Sequence, residues 1–276
     1  MADSPARLAF QRIARLPEAE IDLAEAALWV AAEEYAGLDV PRWLARLGEL
    51  ARAASARLEG ARGAVDAIAR LNAFLYGEER FRGNQDDYYD PRNSFLNDVL
   101  ERRRGIPITL AIVYVWVARH AGLPAAGVGF PGHFLVRCDD PDEILVDPFA
   151  GAVVTRAECA ERLRASAGGE VRFDPRMLEP TPPREIVARL LRNLKQVWLA
   201  AEDWPRALSC AERILLLLPD SPSELRDRGL LFARLECFAA ADADLRRFLA
   251  IAPNDPAADA VRAQLVELAR SAPRLH

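Results

Sequence analysis

The sequence predicts an α+β protein built from an N-terminal helical bundle, a core of one buried helix and an antiparallel sheet, and an all-α repeat segment. Apolar residues recur at helical spacing between residues 22 and 76. A nearly continuous apolar helix, Ile108 to Ala121, precedes three short segments with β-strand character. From residue 188 onward the chain repeats with a period of 34 residues. We place the three parts at residues 1–80, 81–180 and 184–276.

Composition indicates a globular protein with charges of both signs. The chain has 276 residues, enough for roughly two domains of about 100 to 200 residues each. Its net charge is −5, and arginines interleaved with Asp and Glu carry nearly all the positive charge, which argues against a nucleic-acid-binding surface. Residues 1–20 lack the apolar stretch of a signal peptide, and no apolar run is long enough to span a membrane. We therefore expect a cytoplasmic protein.

The N-terminal part is predicted to form three helices that cover the core and carry no chemical motif. Two of them present apolar stripes, over residues 23–31 and 44–51. Pro41 and the glycines Gly60 and Gly63 separate the helices. In the third helix, four apolar residues are expected on one face: Val65, Ile68, Leu71 and Leu75.

Residues 81–104 are dense in polar and aromatic side chains and lead into a short helix. Asn93 or Ser94 is expected to cap this helix, and Gly105 to end it. Two interpretations are open, and both can hold at once: these polar groups can pin a loop, and they can form the wall of a cleft beside His133. The candidate wall residues are Tyr88, Asp90, Asn93 and Ser94.

Strand pairing predicts that His133 and Asp147 lie close together. The segments with β-strand character are residues 128–130, 134–138 and 144–146. Residues 139–142 are expected to form the turn between the last two strands. Because His133 opens one strand and Asp147 closes the next, a hairpin places both side chains at its open end. Such a pair is either a base with its orienting carboxylate or a structural pair that fixes the hairpin.

Three stretches resemble the transglutaminase-like (papain-like) fold: Gly105-Ile106-Pro107, Pro131-Gly132-His133-Phe134 and Leu145-Val146-Asp147-Pro148. Thiol enzymes of this family use Cys, His and Asp in that chain order, with the cysteine in the first turn of a buried helix. The family places the cysteine about fifteen residues before a Gly-x-Pro turn, here Gly122-Leu123-Pro124, so the equivalent position is Pro107. Proline is chemically inert and lacks an N–H that could stabilise an oxyanion. The resemblance therefore implies a remnant dyad without its nucleophile.

Other nucleophiles can be weighed by position. Thr109 lies two residues into the helix and can face the imidazole, which makes it a weak candidate. Cys138 is five residues from His133 on the same strand, an odd offset that turns the two side chains to opposite faces. The cysteines have no C-x-x-C spacing and no paired histidines, so we expect no metal, no cofactor and no disulfide. The other three are Cys159, Cys210 and Cys237.

The C-terminal part has the period of tetratricopeptide repeats. A shift of 34 residues aligns several positions: Trp198 with Phe232, Ala207 with Ala241, and Pro219 with Pro253. Two units over residues 188–255 are expected, followed by a capping helix over residues 256–270. Two repeats are fewer than a solenoid normally needs to bury its faces, so they are expected to lean on the preceding domain or on another subunit.

The concave face of these repeats is predicted to carry Arg189, Arg192, Gln196 and Arg226. Guanidinium groups on one surface can clamp the carboxylates of an acidic partner. The alternative is a solvated helix face whose arginines pair with local acids such as Glu185.

Over nearly its whole length, the chain resembles the bacterial proteins with a transglutaminase-like core followed by tetratricopeptide repeats, described as invasion-regulator-like. The stretches that carry this resemblance are residues 88–97, 104–110, 129–136 and 146–149. With Pro107 in place of the cysteine, the leading hypothesis is a pseudoenzyme that binds a protein or peptide partner. The alternatives are an amide-bond hydrolase or transferase with an unorthodox nucleophile, and an assembly scaffold with a vestigial cleft.

Overall fold

The computed structural model describes residues 4–139, 143–166 and 171–271 of the chain. It divides into two compact units, Met1–Ile186 and Val187–His276. The first unit contains the N-terminal helices and the sheet, and the second contains the repeats. Within the described residues, no helix is both long and apolar enough to cross a membrane.

The first unit begins with a group of helices that the sequence pattern largely predicts. Their bounds are α1 Pro5–Ala14, α2 Leu23–Ala32, α3 Val40–Leu58 and α4 Ala64–Asn72. Side chains of Ser4, Asp22 and Asp39 accept hydrogen bonds from backbone N–H groups in the first turns of α1, α2 and α3, which fixes where these helices begin. The predicted stripes of α2 and α3 are buried, apart from a half-buried Leu44.

The predicted face of the third helix is wrong at one position. Val65 is 73 % exposed, whereas Ile68 and Leu71 are buried. The buried stripe of α4 begins instead at Ala64 and continues through Ala67, so the helix turns Val65 outward. After α4 the chain winds into a π-helix, Ala73–Glu78, before it leaves the bundle.

The polar segment that follows is organised by two very short parallel strands, β1 Arg82–Gly83 and β2 Arg104–Gly105, with helix α5, Leu96–Arg102, between them. The predicted caps of α5 are wrong. The helix begins after Phe95 without a side-chain cap, because residues 91–93 already form a 3₁₀ turn. It ends at Arg103, whose φ of 58° turns the backbone left-handed before Gly105 is reached.

Helix α6, Pro107–His120, is buried along nearly its whole length and packs against an antiparallel sheet. The sheet has the order β3 Ala126–Val128, β4 Leu135–Asp139, β5 Glu143–Asp147 and β6 Ala152–Val154. Asp139 pairs with Glu143, which closes the predicted hairpin, although residues 140–142 of its turn lie outside the described residues. Helix α7, Arg156–Ser166, covers one face of the sheet by burying Cys159 and Leu163 against Leu135 and Leu145.

The second unit is all-helical and keeps the predicted period. Helix α8 spans Pro183–Ala200 and enters this unit from the first, and it is followed by α9 Trp204–Leu217, α10 Pro222–Arg234, α11 Phe238–Ile251 and α12 Ala258–Ser271. The turns before α9 and α11 repeat even in backbone conformation, because Glu202 and Glu236 have φ values of 55° and 59°. Ala207 and Ala241 are fully buried, as expected where helices approach closely.

Candidate functional site

The hairpin brings His133 and Asp147 together, which confirms the geometric prediction. Val136 pairs with Val146 across β4 and β5, so the residues that precede β4 lie beside the end of β5. The Nε2 atom of His133 is 3.0 Å from Oδ2 of Asp147. The Asp147 side chain is 3 % exposed and that of His133 is 20 % exposed, so the imidazole is the member of the pair that solvent can reach.

Both carboxylate oxygens of Asp147 are engaged. Oδ1 accepts hydrogen bonds from the backbone N–H groups of Phe149 and Ala150, at 2.9 and 3.1 Å. Oδ2 accepts one from Nη1 of Arg162 at 2.5 Å and also faces His133. Burial alone would raise the pKa of Asp147, but the contacts with His133 and Arg162 outweigh burial and hold this pKa well below its usual range. Asp147 is therefore ionised at neutral pH.

Arg162 is the residue that the sequence analysis missed. It lies on α7, whose neighbouring residues Cys159 and Leu163 pack on the sheet, and this packing carries the guanidinium to the end of β5. The Arg162 side chain remains 42 % exposed although its Nη1 contacts a buried carboxylate. No local sequence motif indicates that Arg162 binds Asp147, because the two residues meet only when α7 packs on the sheet.

An aromatic surface adjoins the imidazole. The ring of Phe149 is centred 6.5 Å from that of His133 and 6.1 Å from that of Tyr88. Tyr88 in turn contacts Tyr89 edge to face at 5.4 Å. The two tyrosines are exposed, at 43 % and 74 %. Phe149 reaches this position because its ring fills the space over Gly83, where a Cβ would lie 2.5 Å from ring atoms. Tyr88 thus lies next to Phe149, which in turn lies next to the imidazole.

Two of the other three predicted wall residues, Asp90 and Asn93, pin the loop, which supports the first of the two interpretations for them. The buried Nδ2 of Asn93 donates to the carbonyl oxygens of Asp87 and Tyr88, at 2.7 and 3.2 Å. Asp90 accepts from the backbone N–H of Arg92 and is also ion-paired to that side chain. Ser94 is buried, at 3 % exposure. These buried groups satisfy the backbone of the loop and hold Tyr88 in place.

The start of α6 offers no nucleophile. Pro107 is the first residue of the helix and is buried. The Thr109 hydroxyl accepts a hydrogen bond from the N–H of Ile106 at 3.1 Å and donates one to the carbonyl of Asn93 at 2.7 Å. Its side chain is fully buried. The prediction that Thr109 could face the imidazole as a nucleophile is therefore wrong, because its hydroxyl is committed to the cap of its own helix.

The nearby cysteines are equally unsuited to nucleophilic attack. Burial raises the pKa of the Cys138 thiol to about 12. Burial also raises the pKa of Cys159, on the helix that carries Arg162. A thiolate is the reactive form, so both residues are inert thiols at neutral pH. The described residues hold no group of three or more His, Cys, Asp or Glu side chains placed to bind a metal ion.

Tyr76, on the π-helix, is a second feature that the sequence did not indicate. Its ring stacks on Tyr114 at 6.4 Å and packs so closely on Gly151 that a Cβ there would lie 2.9 Å from it. Its hydroxyl is buried and has no hydrogen-bond partner among the described residues. Burial, together with the negative charge of Asp147, raises the pKa of Tyr76, so this phenol stays protonated.

In the repeats, two of the predicted arginines are already paired. Arg192 binds Glu224 at 2.9 Å, and Arg226 binds Asp227 at 2.7 Å. Lys195, the single lysine, connects the two acids with contacts of 2.5 and 2.7 Å. Two of the three arginines predicted to bind an acidic partner, Arg192 and Arg226, therefore form ion pairs within the unit, which favours the alternative of local pairing. Their acidic partners are Glu224 and Asp227, whereas Glu185 was expected. Of the other predicted residues, Gln196 is exposed and Arg189 is half-buried.

The fold and the site define a class of protein in which a transglutaminase-like core precedes helical repeats. Residues 41–192 match the family described as the transglutaminase-like superfamily, and residues 194–266 match the tetratricopeptide repeat. The chain belongs to the bacterial UPF0162 family. It is 40 % identical over 269 residues to a UPF0162 protein of Xylella fastidiosa, with 96 % of each chain covered. It is 35 % identical to a UPF0162 protein of Pseudomonas aeruginosa, over 85 % of this chain and 86 % of that one.

Protein SirB1 of Salmonella typhimurium is 29 % identical, over 76 % of this chain and 78 % of its own. These relatives confirm the resemblance to an invasion-regulator-like bacterial family that the sequence motifs indicated. They also confirm the fold class, a transglutaminase-like region followed by repeats.

Proposed function

We propose that the protein is a non-catalytic member of the transglutaminase-like superfamily that binds a protein or peptide segment in the cytoplasm. The observation that carries this proposal is the start of α6, where Pro107 stands at the position that the resemblance assigns to the cysteine, and where the hydroxyl of Thr109 is hydrogen-bonded within the helix cap. A thiol enzyme needs a thiolate and an amide N–H at this point, and proline supplies neither.

The remaining dyad favours binding over catalysis. A catalytic aspartate orients the histidine and stabilises the imidazolium that forms during turnover. Here Asp147 also holds Arg162, and that second cation competes for the same oxygen. The carboxylate is therefore shared between two donors, which suits a fixed recognition surface better than a base that must gain and lose a proton.

Two further features support a protein partner. Exposed tyrosines such as Tyr88 and Tyr89 are typical of recognition surfaces, because a rigid ring buries much apolar area and keeps a polar end. Tetratricopeptide repeats are stacks of helices whose extended faces commonly bind proteins. The cytoplasmic location is supported by four free cysteines, Cys237 exposed among them, as is usual in a reducing compartment.

An enzyme that uses His133 as a base for water is the second candidate, and the 3.0 Å contact with Asp147 favours it. The test is to assay the purified protein on p-nitrophenyl esters and on peptide amides, alongside His133→Ala and, as a matched control, His120→Ala. We expect no turnover above the uncatalysed rate for any of the three proteins. Turnover that disappears only in His133→Ala would overturn the non-catalytic proposal.

A crosslinking experiment separates binding at this site from a scaffold with a vestigial cleft. A photoreactive phenylalanine analogue is placed at Tyr89, at the end of the row of aromatic rings that starts next to His133, or at Gln196, on the repeats, and irradiated in native cells. We expect a discrete adduct from position 89. Adducts from position 196 alone would favour the scaffold.

A further inference from the structure

His133 and Arg162 are two donors that point at the same carboxylate, and the non-catalytic proposal does not yet give them a role in binding. Both nitrogen atoms approach the same oxygen of Asp147, His133 at 3.0 Å and Arg162 at 2.5 Å. The aspartate is buried, but the two donors are 20 % and 42 % exposed. The buried carboxylate of Asp147 thus positions the imidazole and the guanidinium, both partly exposed to solvent, next to each other.

Arg162 has donors to spare. A guanidinium carries five N–H groups in a planar fork, and within the described part of the chain Arg162 donates hydrogen bonds only to Asp147, through Nη1. Because the contact with Asp147 fixes the side chain in advance, a ligand that binds the rest of the fork loses less conformational entropy than one that must order a free arginine.

We propose that His133 and Arg162 together bind one carboxylate group of the partner peptide, with an apolar side chain next to that carboxylate packed on Phe149 and Tyr88. This inference rests on the proposed function, since it names what the peptide presents to the same site. Planar carboxylates match the guanidinium fork, and the aromatic rings of Tyr88 and Phe149 lie within one residue's reach of the imidazole.

Charge favours a monoanion. The site offers one guanidinium, that of Arg162, and Asp147 already places a negative charge beside it. A nucleic-acid backbone or a doubly charged phosphate would need further cations. The carboxylate can come from a peptide C-terminus or from an Asp or Glu side chain, and the choice between these sources is left to the test.

The chain contains three histidines, so ring signals of histidine-labelled protein give a direct readout. Three probes are titrated: N-acetyl-Gly-Phe with a free C-terminal carboxylate, the same peptide as its amide, and N-acetyl-Asp-Phe-amide. We expect the ring signals of His133 to shift with one or both carboxylate peptides and not with the amide, while those of His120 stay in place. The peptide that binds more tightly identifies the source of the carboxylate.

The variants are Arg162→Gln and, as a matched control on the same helix, the exposed Arg164→Gln. Arg162→Gln should weaken carboxylate binding by about tenfold or more, the size of one charge-assisted hydrogen bond, and Arg164→Gln should not. Arg162→Lys, which keeps the charge without the fork, provides a second variant. Unchanged His120 signals show that each variant is folded.

Equal binding of the amide and carboxylate peptides would overturn this inference and leave the proposed function standing. Failure of both carboxylate peptides to shift His133, or full binding by Arg162→Gln, would also overturn it. Turnover of any probe that is lost in His133→Ala would instead overturn the proposed function.

Discussion

Each of the two units contains a carboxylate that is 2 % exposed and has cationic neighbours, Asp147 in the first and Glu224 in the second, yet the two arrangements differ in what solvent can reach. In the first unit, Asp147 is buried but its partners His133 and Arg162 are partly open. In the second unit, Glu224 is 2 % exposed, and Lys195, which bridges it to Asp227, is 2 % exposed as well. Lys195 is therefore enclosed together with Glu224, although the second partner of Glu224, Arg192, is 34 % exposed. In the first unit, both partners of Asp147 are partly exposed.

The exposure of the cationic partners separates a recognition site from a structural ion pair. A buried pair costs desolvation free energy on both sides and is best regarded as part of the packing. A buried carboxylate with exposed partners keeps hydrogen-bonding capacity for a ligand. On this criterion the cluster at Asp147 keeps donors for a ligand, as the proposed function requires, and the cluster at Lys195 links helices α8 and α10.

Lys195→Met is expected to have the largest effect on stability. It leaves Glu224 buried beside only one partner, the half-exposed Arg192, and breaking a buried pair in this way costs about 3 to 5 kcal/mol of unfolding free energy. Urea denaturation followed by circular dichroism measures the loss. Replacing Glu224 by Met in the same protein should restore part of the stability, because the uncompensated charge is then gone.

The control for this prediction is Arg246→Met on α11, whose ion pair with Asp242 lies on the surface. Surface pairs contribute little, so its denaturation curve should nearly overlay that of the original protein. If Lys195→Met behaved like Arg246→Met, the enclosed cluster would not be a structural element and the contrast between the units would fail.

Asp147→Asn is expected to have the next largest effect, and one that depends on pH. The pKa of Asp147 lies below its ordinary value of about 3.9, so its stabilisation is fully present above roughly pH 4 and is lost as the pH falls further. At pH 7 the variant should lose about 1 to 3 kcal/mol, since Asn keeps an acceptor for the turn amides but loses the charge that holds Arg162.

Chemical denaturation of both proteins between pH 7 and pH 3 tests this sign. The difference between their unfolding free energies should be constant down to about pH 4 and shrink below it. A difference that grew on acidification would contradict an ionised Asp147.

Local sequence patterns predicted the structure correctly where it depends on short-range geometry. Strand alternation and the hairpin were enough to bring His133 to Asp147, because register follows from the pairing itself. The 34-residue period recurs in the structure, where α9 begins at Trp204 and α11 at Phe238. The capping role of Thr109 was missed, although a threonine at the third position of a helix that begins with Pro107 is well placed for it.

What could not be predicted depends on how separate elements dock. Arg162 reaches Asp147 only because α7 lies on the sheet, and Lys195 meets Glu224 only because α8 and α10 pack side by side. Sequence spacing carries no record of either contact. The misplaced caps of α5 have a related cause, because the 3₁₀ turn that displaces them is held by the buried side chain of Asn93, whose partners lie earlier in the loop.

The smallest effect is expected from a matched pair of tyrosines next to the site. Tyr114 donates its hydroxyl to Oδ1 of Asn72 at 2.9 Å, whereas the hydroxyl of its stacking neighbour Tyr76 is buried without a partner among the described residues. Tyr114→Phe should therefore cost about 0.5 to 1.5 kcal/mol of unfolding free energy, the contribution of one hydrogen bond. Tyr76→Phe removes a hydroxyl that gains nothing from folding, so it should leave stability unchanged or raise it.

Thermal denaturation of both variants measures the two stability changes, and the stacked rings are preserved in each variant. A loss in Tyr76→Phe as large as that in Tyr114→Phe would mean that the Tyr76 hydroxyl is hydrogen-bonded in solution, for example to a buried water next to Asp147, and the site would then have to be redrawn to include it.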